Sequence, residues 1–314
     1  MRREFIYEIQ SEYSGKKISE FLKNQGYSEQ VLTTLRHSGD VVFLNDKAVH
    51  MNATFPVVQS QTNTISSLHN NDISTLKIIL EEQPSEHVIP VDISLDVVYE
   101  DEDIIVINKP AGLPSHPSRG NAEYTLGNAV CYHCMMQNNP IVFRCINRLD
   151  KDTSGLTVIA KNILAAGLLS QQRLKGNLRR EYTAIVRGIP APETGTIDLP
   201  IERIEEGSVK RHVDLVNGKT AITHYEVMTV INNIFSVVRL HLDTGRTHQI
   251  RVHMSHIGHP LLGDKIYNPD YSADPIQRHA LHANHLEFDH PITGVHLSFD
   301  APLPADMKKI TISS

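Results

Sequence analysis

The chain has 314 residues, 40% of them hydrophobic and 21% charged, ordinary usage for a folded chain with one large core or two domains. No apolar run approaches the roughly 20 residues that span a bilayer, and Met1–Gln10 lacks the apolar centre and cleavage site of a secretory signal. Three cysteines (Cys131, Cys134 and Cys145) cannot build a disulfide framework, so a reducing cytoplasmic setting without a membrane partner is expected. The formal net charge of −6 excludes a chain that is basic throughout, and any phosphate-binding face has to be local.

Residues 15–70 read as a small unit. Ile18, Phe21 and Leu22 recur at helical spacing before a stop at Gly26. A second helix fits Glu29–His37, with Ser28 as its N-cap and Gly39 just past its end. Val41–Leu44 has strand character, and Asn45-Asp46-Lys47 makes a turn into another short strand. The polar, proline-containing stretch 81–94 suits a linker. Strands dominate beyond it: Val97–Tyr99, then the acidic turn Glu100–Asp103, then Ile104–Asn108, ended by Pro110-Ala111-Gly112. Leu156–Ala160 is a further apolar strand. Asn162–Leu174 is read as a helix with Leu164, Leu168 and Leu169 on one side. Strand patterning covers Tyr182–Val186, Ile222–Val230 and Ile234–Leu242. The expected fold class is α+β, a mixed and mainly antiparallel sheet carrying helices. Its expected divisions are a small α/β module over 1–80, a linker over 81–94 and the main domain over 95–314.

Dinucleotide, phosphate-loop and zinc-protease signatures are missing, so side chains alone are expected to carry the chemistry, with no cofactor. The loop Asn147-Arg148-Leu149-Asp150-Lys151-Asp152-Thr153-Ser154-Gly155 crowds carboxylates, cations and hydroxyls ahead of a strand. On its own it fits a polar turn in which Asp150 or Asp152 satisfies backbone N–H groups. In Asp243–Met254, Arg246 follows a glycine, so its guanidinium can reach a carboxylate or phosphate; a helix start capped by Thr244 is the simpler alternative. Gln171–Arg187 gathers Arg173, Lys175, Arg179, Arg180 and Arg187 against one acid, Glu181. Cys131-Tyr132-His133-Cys134 has zinc-like spacing, and His279, His282 and His285 recur every third residue. No second cysteine pair accompanies them, and no metal site is expected. Cys145 is expected to be an apolar filler.

Taken together, these segments resemble the RluA family of RNA pseudouridine synthases. Tyr99–Leu113 is similar to that family's opening strand and Lys-Pro turn, and Arg148-Leu149-Asp150 with Thr153-Ser154-Gly155-Leu156 to its catalytic motif. Arg180–Gly188 is similar to its Lys/Arg-x-Tyr strand, and Thr244–His253 to its third motif, followed by Gly258-His259-Pro260 and Gly263-Asp264. The resemblance covers about 88–304. It departs at Asn147, where the family usually has His; either side chain can brace the loop. Residues 15–70 resemble, more weakly, the S4 RNA-binding module, with Arg36 and His37 as its clearest cations.

The resemblance implies an isomerase that detaches uracil from its ribose at N1 and rejoins it through C5, without a cofactor. It makes Asp150 the nucleophile, whether toward the sugar or the base. Arg246 becomes its ion-pair partner, favouring the ionised carboxylate, and Tyr182 the aromatic residue against the target base. Arg148 is expected beside a flipped nucleotide. Arg180, Arg251 and Lys109 are expected as RNA contacts, with a structural role open for the last two. The implied partner is structured RNA, large-subunit (23S-type) ribosomal RNA first and transfer RNA second, bound by a monomer. Two other function classes compete: a catalytically silent RNA-binding or assembly factor, which the acidic charge favours, and a glycoside hydrolase using Asp150 and Asp152, which needs two separated carboxyl groups.

Overall fold

The computed structural model describes residues 1–39, 41–57, 74–85, 87–118 and 122–312, so positions 40 and 58–73 of the expected N-terminal module lie outside the described residues. That unit comprises β1 (Arg2–Ile9), α1 (Ile18–Asn24), α2 (Glu29–His37), β2 (Val42–Leu44), β3 (Lys47–Ala48) and β4 (Ser74–Glu81). The helices follow their apolar spacing, and Ser28 Oγ accepts from the Val31 N–H at 3.3 Å as the N-cap. Asn45 and Asp46 take positive φ values of 49° and 64°, the geometry that a tight turn between antiparallel strands requires. The sheet order is β1-β4-β2-β3, all antiparallel. Strand β1 is invisible to hydrophobic patterning because only Phe5 and Ile9 of its residues are buried.

The rest of the chain runs β5 (Val97–Glu100), β6 (Ile104–Lys109), α3 (Leu126–Met136), β7 (Arg144–Cys145), β8 (Ser154–Ala160), α4 (Ile163–Lys175), β9 (Arg179–Arg187), β10 (Thr194–Asp198), β11 (Ile201–Arg203), β12 (Arg211–Val213), β13 (Ile222–Ile231), β14 (Phe235–Leu242), α5 (Gln249–His256), β15 (Leu281–Asp289), β16 (His296–Asp300) and α6 (Ala305–Ile312). One large sheet has the order β10-β13-β14-β9-β15-β8-β6-β5, with β16 on β15 and β7 on β8. Its pairings are antiparallel except β15 with β8, the mixed, mainly antiparallel sheet that the sequence predicts.

Strands β6 and β8 are buried along almost their whole length, and mostly apolar, because both faces are covered. Ile104, Val106, Leu156 and Val158 point into a core shared with Leu169 of α4. Ile105, Ile107 and Ile159 point into another, shared with Leu126, Val130 and Cys134 of α3. At the parallel pairing, Gly155 has φ 112°, and a Cβ there would sit 2.2 Å from the Ala283 carbonyl oxygen. Only glycine lets the two backbones approach this closely.

Helix α4 has two apolar rows rather than one. Leu169 packs into the large domain, whereas Leu164 and Leu168 pack into the core of the N-terminal unit. Residues one position apart on a helix point about a quarter-turn away from each other, so neighbouring leucines serve different cores. The stretch expected as a linker is also held: Glu82 pairs with Arg144 and accepts the Ile163 N–H at 2.9 Å, and Asn128 Nδ2 donates to the Ile89 carbonyl at 2.7 Å.

Arg3 closes this contact by donating to both oxygens of Asp103 at 3.0 Å. Asp103 is 3% exposed, and Asn162 supplies its remaining side-chain donor among the described residues. Arg3→Ala is therefore expected to cost about 2–4 kcal/mol in urea unfolding, the loss typical of a buried carboxylate deprived of its charged partner. Arg2→Ala, whose partners are exposed, is expected to change stability by less than about 0.5 kcal/mol.

Candidate active site

The loop between β7 and β8 is locked by hydrogen bonds to distant segments. Asn147 is buried; its Nδ2 donates to the Leu156 carbonyl at 3.0 Å and its Oδ1 accepts the Val158 N–H at 2.8 Å. Ser115 Oγ donates to the Leu149 carbonyl at 2.7 Å. Thr153 Oγ1 pairs with His279 Nε2 at 2.8 Å and Ser154 Oγ with His282 Nδ1 at 2.9 Å. Lys109 is 0% exposed, and its ammonium donates to the carbonyls of Pro110, Leu113 and Lys151 at 2.8, 2.9 and 3.1 Å. Burial lowers its pKa to about 7 against the opposing charges of Asp152 and Asp150. An RNA contact by Lys109 is thereby excluded: all three of its donors are spent inside the fold, and the residue is a clamp.

Asp150 is held half-exposed at the mouth of this loop. Its Oδ2 accepts from Arg251 Nη1 at 3.1 Å. The same guanidinium donates through Nε and Nη2 to Asp264 at 2.8 Å each, with the Tyr267 ring 5.1 Å from its centre. Burial disfavours the Arg251 charge, but Asp264 and then Asp150 outweigh it and raise its pKa. Asp264 resists the upward push of its own burial because Arg251 and the Ile266 N–H hold it ionised, and its pKa falls.

The expected pairing of Asp150 with Arg246 is therefore corrected. Arg251, first assigned to RNA, is the ion-pair partner, and at 5% exposure it is closed to RNA phosphates. Arg246 is exposed, and its Nε donates to the Thr220 carbonyl at 2.9 Å. The helix accounts for the exchange, since α5 starts only at Gln249. Arg251 is on its inner face, while Arg246 precedes it on the loop. Thr244 is not its cap; the Thr244 hydroxyl and the Arg246 N–H both donate to Gln249 Oε1 at 2.9 Å.

Asp150 opens into a cavity of about 300 Å³, at the small end of ligand sites. Its lining brings together Arg148, Arg173, Arg180, Tyr182, Arg246 and Arg251 with Asp150 as the single carboxylate. Tyr182 is 5% exposed, and burial raises its pKa against the opposing charge of Arg180. Arg180 is also buried, and its Nε has no hydrogen-bond partner among the described residues. Burial and then the repulsion of Arg180, Arg148 and Arg246 lower the pKa of Arg173, the mark of a cationic cluster without enough anions. Asp152 does not line the cavity, which removes the carboxylate pair that a glycoside hydrolase needs.

Cys131 and Cys134 lie in the apolar core under α3, where burial pushes both thiols up to about 11. Among the described residues, two groups bring three potential metal ligands within 4.8 Å, namely His224, His241 and Asp243, and Asp101, Asp103 and His290. The rings of His224 and His241 stack at 4.2 Å and 8°, so their in-plane lone pairs run parallel instead of converging on one ion. Asp103 is committed to Arg3, and Asp101 to the N–H groups of Asp103 and Ile104. Sequence reasoning missed Asp264, Tyr267 and His248 as parts of the site. Their separation from Asp150 along the chain leaves only the motif order as a signal.

A sequence model of the RNA pseudouridylate synthase family matches residues 103–256. The uncharacterized RNA pseudouridine synthase YhcT of Bacillus subtilis is 38% identical over 92% of this chain and 98% of its own length. Ribosomal large subunit pseudouridine synthase D of Zymomonas mobilis is 45% identical over 71% of this chain and 73% of its own. The solved structure of human RNA pseudouridylate synthase domain containing 1 is 28% identical, covers 70% of this chain and 86% of that one, and superposes with a TM-score of 0.55.

The histidine that braces the loop carries a pH signature. Burial, reinforced by Arg251, lowers the pKa of His279 from 6.5 to about 4. Between these values the unfolded chain binds the proton and the folded chain does not, so stability falls as pH drops from about 6.5 to about 4. His279→Gln is expected to flatten this dependence by about one proton, about 1.4 kcal/mol per pH unit, in urea unfolding at pH 4.5, 5.5 and 6.5.

Proposed function

The chain belongs to the RNA pseudouridylate synthase family, which converts uridine to pseudouridine in RNA, and we propose that Asp150 is the nucleophile of that isomerisation. The observation that carries this reading is the charge pattern of the cavity, where one carboxylate, oriented by a buried guanidinium, lies among arginines. A carboxylate suits the task because it must attack while ionised and leave again. A uridine has to leave its stem to enter so confined a site. Tyr182, on the wall beside Asp150, offers its ring to the base. Arg148, Arg173, Arg180 and Arg246 supply the positive field for the flanking phosphates that the net charge of the chain does not provide. A catalytically silent RNA-binding role would leave this carboxylate without a purpose in a cationic pocket.

For the substrate, we read large-subunit ribosomal RNA, on the strength of the Zymomonas mobilis relative named for it. The N-terminal unit is read as an S4-like RNA-binding module, with Arg36 and His37 in the last turn of α2 as its cations. The protein is read as a monomer of the cytoplasm; no helix among the described residues is long and apolar enough to cross a membrane.

Mapping carbodiimide-resistant uridines in ribosomal and transfer RNA from cells carrying Asp150→Asn tests both parts. Loss of pseudouridine from large-subunit ribosomal RNA is expected; loss confined to transfer RNA would overturn the substrate, and no loss at all would overturn the role of Asp150. Arg173→Gln is expected to weaken RNA binding and to lower the slope of log K against log salt by about one, read from binding titrations between 50 and 200 mM salt.

A further inference from the structure

We propose that His248 is a positioning residue for Asp150: as its Nε2–H tautomer it backs the carboxylate oxygen that Arg251 holds, and so leaves Oδ1 as the oxygen that reacts. This rests on Asp150 being the nucleophile. The first observation is conformational. His248 has φ 59°, the left-handed region that residues other than glycine adopt uncommonly, histidine among the more frequent of them. It does so at the residue preceding α5, where the strain turns the ring inward to 12% side-chain exposure and brings Nε2 within 3.8 Å of Asp150 Oδ2.

The second observation assigns the tautomer. The Tyr267 oxygen accepts the Arg211 N–H at 2.8 Å and lies 2.9 Å from His248 Nδ1. Tyr267 stays a phenol, since burial raises its pKa. Its O–H needs an acceptor, and among the described residues Nδ1 is the one within reach, so the neutral imidazole carries its proton on Nε2. Burial keeps His248 neutral: its pKa is lowered, with Arg251 and Arg211 adding to the effect and Asp150 and Asp264 opposing it.

The third observation concerns Asp150 itself. Arg251 Nη1 and His248 Nε2 both address Oδ2, and among the described residues no donor reaches Oδ1. At 3.8 Å the Nε2–H is too far for a hydrogen bond in the free enzyme. Catalytic contacts of this kind commonly tighten when substrate enters. A carboxylate held through Oδ2 by Arg251, and by His248 once that contact tightens, presents Oδ1 in a fixed direction, which is what an in-line attack on a flipped nucleotide needs.

Single-turnover kinetics with enzyme in excess over an RNA stem-loop substrate test this. His248→Gly suits the left-handed backbone and removes only the ring. Its rate constant at saturating enzyme is expected to fall about 10- to 100-fold, with RNA affinity changed less than about twofold. Added imidazole is expected to restore the rate in proportion to its neutral form. A rate within about twofold of wild type, or a loss that imidazole does not restore, overturns the proposal. Nitrogen-15 spectra of the wild-type protein give a measurement independent of any variant: a proton on Nε2 is expected, and a proton on Nδ1 overturns it. Asp150→Asn run in parallel separates the two readings. If Asp150→Asn still isomerises uridine, the role of Asp150 fails; if it is inactive while His248→Gly is unimpaired, only the role of His248 fails.

Discussion

A guanidinium buried between two carboxylates governs this structure. Arg251 is 5% exposed and Asp264 0%, and neither charge could be taken out of water without the other. Asp264 is further committed to the N–H groups of Ile266 and Tyr267. The pair therefore pins the first turns of α5 to the segment that follows Gly263. Arg251 Nη1, left over from the pairing with Asp264, donates to Asp150. The geometry of the loop that carries Asp150 thus depends on a charge pair buried from solvent.

The loop itself is rigid for a different reason. Its backbone carbonyls would be costly to bury unpaired, and Lys109, Ser115 and Thr157 satisfy those of Lys151, Leu149 and Asn147 from three directions. His279 and His282 pair with the hydroxyls of Thr153 and Ser154 as neutral rings, because burial lowers the pKa of both. A fixed loop on one side and a fixed helix on the other leave Asp150 the freedom of a single carboxylate oxygen. That arrangement supplies preorganisation from the side chains of the fold itself.

The charge balance of the chain and that of its cavity point in opposite directions, and strand alternation explains how both hold. Along β9, Arg180 and Tyr182 are turned to the cavity while Arg179 and Glu181 lie on the other face. Cations collect where one set of side chains converges, while apart from Asp150 the acids lie elsewhere in the fold. Net charge is a sum over all faces, so it carries little information about any one of them.

Helices α2 and α4, the apolar strands β6 and β8 and the cluster of motifs around Asp150 were legible in the sequence. Each of these rests on residues within a few positions of one another: a cap, an apolar spacing, an ordered motif. Strand β1 was not, because its register depends on β4, some 70 residues on, and it carries few apolar residues of its own. The two-sided role of α4 was not, because adjacent leucines look alike until two different cores are packed on them. Above all, the sequence placed two arginines five positions apart and could not say which one Asp150 would find. The pair that forms spans 101 residues. It is decided by where α5 begins and which of its faces packs inward, since the energy of an ion pair depends on distance and burial in space and not on position along the chain.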